Sequence, residues 1–128
     1  MDSPFLIDSD ILIDHLRKEK NALRFLQTEI ENNSLLFISV ISRVEIYAGI
    51  RKGEEDIVKS LFKMLTPVDV NVMIADKAGE YLQKFSKSHT LNIGDSLIAA
   101  TAREMKLRLI TRNVKYFPMK DIEILKPY

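Results

Sequence analysis

The sequence contains no cysteine, which excludes disulfides and thiolate metal sites and is compatible with a reducing compartment. It has no surplus of charge of one sign. Nineteen Lys and Arg stand against 18 Asp and Glu, leaving a formal net charge of +1. Any phosphate-binding role must therefore come from local basic side chains and not from the field of the whole protein. Long apolar runs are missing as well: the longest, such as "LLFISVIS", fall far short of the roughly 18 residues that span a bilayer. The opening residues lack a basic segment followed by an apolar one, so no signal peptide is expected. Repeats, low-complexity tracts and linkers are also absent. What is present is a chain of 128 residues, 46% apolar and 29% charged. That length and balance suit one domain over 1–128 with a sizeable core, expected to be soluble and cytoplasmic with no membrane association.

Short apolar runs alternate with amphipathic stretches. "PFLID" (4–8) reads as a buried strand, and Ser9 as the cap of a helix over 10–19 with Ile11, Leu12 and Leu16 on one stripe. A helix is predicted over 21–31, a strand over 35–39, a helix over 40–53 ended by Gly53, and another from residue 55 stopped by Pro67. "VDV" (68–70) reads as a third strand. Residues 71–87 form a long amphipathic helix with Ile74, Ala78, Tyr81, Leu82 and Phe85 on one face. A more apolar helix over 94–106, a strand over 107–111, a loop over 112–121 and a strand over 122–125 complete the chain. This alternation predicts an α/β fold with a central, mostly parallel sheet of about five strands flanked by helices. In such sheets ligands sit beyond the carboxyl ends of the strands, where Asp8 and Thr111 fall.

Three carboxylates occupy positions that periodicity assigns to the interior. Asp8 closes the first strand; Glu45 shares a stripe with Ile41, Val44 and Ala48; Asp95 opens a helix whose next residues on that face are Ile98, Ala99 and Ala102. A buried ionised carboxylate requires a counter-charge or a cation. Oxygen donors without cysteine and with only two histidines favour a hard ion, Mg²⁺ or Mn²⁺, over zinc. Each acid also has a plainer reading. Asp8 can cap the following helix, Asp95 can oppose a helix dipole, and Glu45 can pair with Arg43, Arg103 or Arg112 through space. Asp10 is either a dipole-favoured acid or a group supporting Asp8. Asp14 is expected to face solvent or pair with Arg17 or Lys18. His15 and His89 are expected on the surface, and the stripes Phe25, Leu26, Ile30 and Tyr81, Leu82, Phe85 in the core or a subunit contact.

The series "LIDSDILIDHL", "ISVISRVEIYAGI", "IGDSLIAATARE" and "LITRNVKYF" resembles, in order and across essentially the whole chain, the four motifs of the PIN domain, in particular the VapC-type toxin ribonucleases of toxin–antitoxin pairs. The resemblance implies a metal-dependent endoribonuclease in which Asp8, Glu45 and Asp95 are catalytic and hold Mg²⁺ or Mn²⁺. Asp10, Thr111 and Asn113 would shape the pocket. By their charge, Arg43, Arg112 and Lys115, together with Arg103, are candidates for RNA phosphate contacts or else ordinary surface charges. It also implies a VapB-type antitoxin as partner and a homodimer, with residues 54–65 and the second helix offering apolar stripes for such contacts. One departure stands out: many relatives carry a further aspartate where this chain has Asn113 or Tyr116.

Two other readings compete. A PIN-like module weakened at that last acid would act by binding alone. The opening aspartates also look like the first motif of haloacid-dehalogenase-type phosphotransferases, but the second aspartate of that family's late motif would fall on Ala99.

Overall fold

In the computed structural model, residues 4–128 are described. They form β1 (Phe5–Ile7), α1 (Ser9–Leu16), α2 (Lys20–Glu31), β2 (Leu36–Ser39), α3 (Val40–Ala48), α4 (Glu55–Lys63), β3 (Thr66–Val68), α5 (Val72–His89), α6 (Ile93–Met105), β4 (Arg108–Ile110) and β5 (Ile124–Leu125), with one 3₁₀ turn at Val114–Tyr116. The strands make one sheet in the order β3-β2-β1-β4-β5, and every pairing is parallel. The expected fold class is observed.

The three central strands, β2, β1 and β4, are short and largely buried on both faces, so their side chains divide between two cores with a period of two. Phe5, Ile7, Leu36, Ile38 and Ile110 pack with Leu12, Leu26, Ile46 and Leu61 on the face covered by α1–α4. Leu6 and Leu109 point the other way, onto Ile74, Tyr81, Ile98 and Ala99 of α5 and α6. Complete burial of one such side chain contributes about 1.5–3 kcal/mol, which sets the register firmly, because a slip of one residue would exchange the two faces.

β1 lies at the centre, and the chain leaves it toward β2 on one side and β4 on the other. This reversal opens a crevice at the carboxyl end of β1. Several boundaries differ from expectation. The third strand is Thr66–Val68, not 68–70; Pro67 sits inside it opposite Ile38, as an edge strand allows because proline has no N–H to donate. Helix α3 stops at Ala48 and not at Gly53, and Gly53, at φ 89°, makes the left-handed turn before α4. The Arg17 guanidinium closes that connection by donating to the Glu54 carboxylate at 2.6 Å and to the Gly49 carbonyl at 3.0 Å. Helix α1 begins at Ser9, so Asp8 is its N-cap.

The apolar stripes proposed as partner surfaces are largely used internally. Val58, Leu61 and Phe62 of α4 and Ala22 and Leu26 of α2 are buried in the protein's own core, leaving Ile57, Met64 and Ile30 exposed. Tyr81 is a core residue, with its hydroxyl donating to Asp121 at 2.7 Å. Among the described residues no helix is long and apolar enough to cross a membrane.

Candidate active site

Asp8 is placed by the sheet. Its N–H donates to the Ile110 carbonyl at 2.9 Å, continuing the β1–β4 ladder by one step and fixing the carboxylate at the strand end. Its Oδ1 accepts from the Ser9 N–H at 2.8 Å and its Oδ2 from the Thr111 hydroxyl at 2.8 Å. The plain reading of Asp8 as a helix cap is therefore correct without displacing the other one, because the same side chain is only 5% exposed beside other acids. Burial, followed by the charge of Asp10 and, more weakly, Glu45, lifts its pKa from 3.8 to about 7 against the opposing hydrogen bonds of Thr111 and Ser9.

Asp10 stands one turn into the same crevice, in the first turn of α1. Its Oδ2 accepts from the Arg112 N–H at 2.9 Å and from the Thr111 hydroxyl at 3.2 Å, while among the described residues its buried Oδ1 has no hydrogen-bond partner. The single Thr111 proton is thus shared between two carboxylates, and the hydroxyl also accepts from the Asn113 N–H at 3.1 Å. Burial raises the Asp10 pKa as well.

Glu45 reaches the crevice from α3 by a route that periodicity did not anticipate. The stripe of Ile41, Val44 and Ala48 does not face the core: α3 buries Ser42 and Ile46, and Val44 is 65% exposed. Glu45 is itself an exposed residue, but its carboxylate turns inward. Oε1 accepts from the Ser9 hydroxyl at 3.2 Å, and Oε2 lies 3.8 Å from where a Cβ on Gly94 would sit, against the first turn of α6. Its pKa is raised by burial of the carboxylate and by the charges of Asp95 and Asp10.

Asp95 is half-buried in that first turn of α6. Its N–H donates to the Asn92 side chain at 2.7 Å, which caps the helix. Desolvation is the largest influence on its carboxylate and, with the charge of Asp10, outweighs a stabilising hydrogen bond from the Asn92 backbone N–H, so its pKa too is raised. The expected stripe beneath it is correct: Ile98, Ala99 and Ala102 are buried.

Beyond burial, Asp10 and Glu45 therefore raise the proton affinity of Asp8, Asp95 and Asp10 that of Glu45, and Asp10 that of Asp95. Their donor set fits a hard divalent cation. The oxygens are carboxylate oxygens, one buried oxygen lacks a hydrogen-bond partner among the described residues, and the repulsion between them is what a bound cation relieves. Among the described residues no three His, Cys, Asp or Glu side chains close on a single point.

The basic candidates are less uniform. Arg43 lies over the Phe62 ring at 4.2 Å, Lys115 over the Tyr116 ring at 5.2 Å, and Arg103 pairs with Asp121 at 3.4 Å. Arg112 follows Thr111 at the crevice and pairs with Asp14. This corrects the expectation for Asp14, whose partners are Arg112 and the Tyr128 hydroxyl and not Arg17 or Lys18. His15 is half-buried, with an Nδ1 that has no hydrogen-bond partner among the described residues and a pKa lowered by burial, rather than a surface residue; the side chain of His89 lies outside the described residues. Sequence reasoning missed the second role of Ser9, whose hydroxyl bridges Asp8 and Glu45, and it missed Asn92, although an asparagine three residues before an acid is a legible cap signal.

A parallel α/β sheet with a carboxylate-lined crevice at its central switch point defines a small class of acidic-site proteins. Within it, the PIN domain family matches residues 5–121, and the chain belongs to that family. Ribonuclease VapC10 from Mycobacterium tuberculosis is 39% identical over 123 residues, covering 95% of this chain and 90% of that protein. Ribonuclease VapC19 from the same organism is 36% identical over 115 residues, covering 89% and 92%. Among solved structures, a toxin-antitoxin complex from Klebsiella pneumoniae matches with a TM-score of 0.77 and 25% identity over 97% of this chain and 98% of that one. The DNA-bound VapBC of Salmonella typhimurium matches with a TM-score of 0.83 and 21% identity over 98% and 99%.

Proposed function

We propose that the protein is an endoribonuclease that requires Mg²⁺ or Mn²⁺ and acts as the toxin of a VapBC-type pair. The observation that carries this reading is a buried Asp8, flanked by Asp10 and Glu45, whose pKa burial and those charges push to about 7, in a chain 39% identical to a ribonuclease. Asp8, Glu45 and Asp95 would hold the ion, which when bound activates water and neutralises phosphodiester charge. The remaining groups orient these acids. Thr111 donates to Asp8 and Asp10, Ser9 to Asp8 and Glu45, and the Arg112 N–H to Asp10. Asn113, anchored to the Thr111 hydroxyl through its own N–H, offers a neutral amide where many relatives carry an acid.

A VapB-type antitoxin is the proposed partner, on the strength of the toxin-antitoxin complex that this fold resembles. A homodimer in the cytoplasm and a single domain over the whole chain complete the proposal. The non-acidic Asn113 and Tyr116 favour one second reading, a module that binds RNA without cutting it. A phosphotransferase reading has no support in the family match, and Ala99 is fully buried where its second acid would be needed.

The test is cleavage of structured RNA by purified protein in Mg²⁺ or Mn²⁺ against EDTA. Cleavage should require the metal and fall at least about a hundredfold in Asp95→Ala, as loss of a charge-holding group at a reacting centre does. Intact RNA with every metal, from folded protein, would leave the binding module as the better reading.

A further inference from the structure

We propose that Arg112 is a phosphate clamp at the mouth of the acidic crevice, and that Asp14 and Tyr128 are positioning residues that hold its guanidinium in place; this rests on the nuclease reading. A pocket of four carboxylates repels a polyanion, so a substrate phosphate needs a fixed cation close by. Arg112 is fixed at both ends. Its N–H donates to Asp10 Oδ2 at 2.9 Å, tying its backbone to the crevice. At the other end Nε lies 2.5 Å from Asp14 Oδ2 and Nη2 3.1 Å from Asp14 Oδ1, a two-pronged pairing on one edge of the guanidinium.

Asp14 is suited to this role by its spacing. It lies four residues after Asp10 on α1, so both acids project from the same face. The Tyr128 hydroxyl donates to Asp14 Oδ2 at 2.8 Å, so the phenol and the guanidinium share one carboxylate. The side chain of Asp14 is 18% exposed and that of Arg112 is 40% exposed. With Nε and one Nη2 hydrogen committed to Asp14, the Nη1/Nη2 edge remains. Among the described residues it has no partner, and two donors in that fork match two oxygens of a phosphodiester. None of the other arginines considered for phosphate contact is placed this way: Arg43 lies over Phe62 and Arg103 pairs with Asp121.

The test uses a single-stranded 2′-O-methyl RNA oligomer, which resists cleavage, in EDTA, with affinity measured across a salt series. Arg112→Ala should make the slope of log affinity against log salt shallower by about 0.7, one phosphate contact on a single strand. Arg112→Lys should retain the slope, because it retains the charge. An unchanged slope in Arg112→Ala, or no binding by the wild type, overturns the clamp.

Positioning is tested by turnover of cleavable RNA in Mn²⁺. Asp14→Asn should lower kcat about tenfold without weakening KM, since a loosened guanidinium still attracts phosphate but misplaces it. Tyr128→Phe should act in the same direction and by less. In an Arg112→Ala background Asp14→Asn should cost nothing further. Equal losses in both backgrounds, or a loss of thermal stability alone, would make Asp14 merely structural. If the slope changes as expected and no RNA is ever cut, the nuclease reading fails and the clamp stands.

Discussion

Replacing Asp8 by Asn should stabilise the metal-free protein at neutral and alkaline pH. The side chain has nearly the same shape; its Oδ1 still accepts from the Ser9 N–H, and Thr111 can turn its one proton to Asp10 Oδ2, 3.2 Å away. What is lost is a charge the fold resists. The sign follows from the direction of the shift. A carboxyl raised from 3.8 to about 7 binds its proton more tightly in the folded state than in the unfolded chain. Stability is therefore fully present below pH 3.8 and falls as pH rises toward 7. By pH 8 the accumulated loss from this one group is about 4 kcal/mol. With an m-value of about 2 kcal/mol/M in urea, Asp8→Asn should raise the denaturation midpoint in EDTA by about 2 M at pH 8, and by much less near pH 4. Saturating Mn²⁺ should reverse the order, since it stabilises only the protein that binds it. A variant no more stable than wild type at pH 8 in EDTA would refute the argument that burial and neighbouring charge hold Asp8 strained.

Three further outcomes test separate parts of the structure. Mn²⁺ affinity, measured calorimetrically, should weaken about tenfold between pH 8 and pH 6, because binding must then displace a proton from a carboxyl titrating near 7; affinity independent of pH would contradict Asp8 as a ligand. Thr111→Val removes the donor that lowers the Asp8 pKa, so it should weaken Mn²⁺ binding at pH 7 by about 10- to 100-fold and move the acid limb of binding to higher pH; an unmoved limb would show that the hydroxyl is idle. Adjacent leucines give the packing test: Leu36 is 5% exposed and Leu35 is 66% exposed. Leu36→Ala should cost about 2–5 kcal/mol of stability and Leu35→Ala within about 0.5 kcal/mol, and equal costs in thermal unfolding would place the strand register in error.

Asp8 and Asp95 are the crevice acids whose positions follow from local rules. Asp8 ends an apolar run, and strand ends are where a parallel sheet opens; Asp95 sits in a first helical turn over a stripe that is indeed buried. Glu45 was nominated from a stripe that the structure does not bury. Apolar spacing around it suggested a core face, but Val44 and Tyr47 are exposed, and the carboxylate instead approaches α6 from the surface of α3. Amphipathicity reports which side chains are apolar, and it cannot distinguish a face turned to the core from one left to solvent. The 68–70 strand failed in a related way: Pro67 was read as a stop, although an edge strand accommodates it opposite Ile38. The Asp14–Arg112–Tyr128 network was beyond reach altogether, because its members are 98 and 114 residues apart along the chain and only the β1–β4 pairing brings residues 8–14 beside residues 111–112. Each acid can be nominated from its neighbours in sequence, but the groups that orient it arrive from other strands. The chemistry of this crevice thus depends on sheet order as much as on the acids themselves: with β1 paired elsewhere, Asp8 would still cap α1 and yet have neither Thr111 nor the Arg112 N–H beside it.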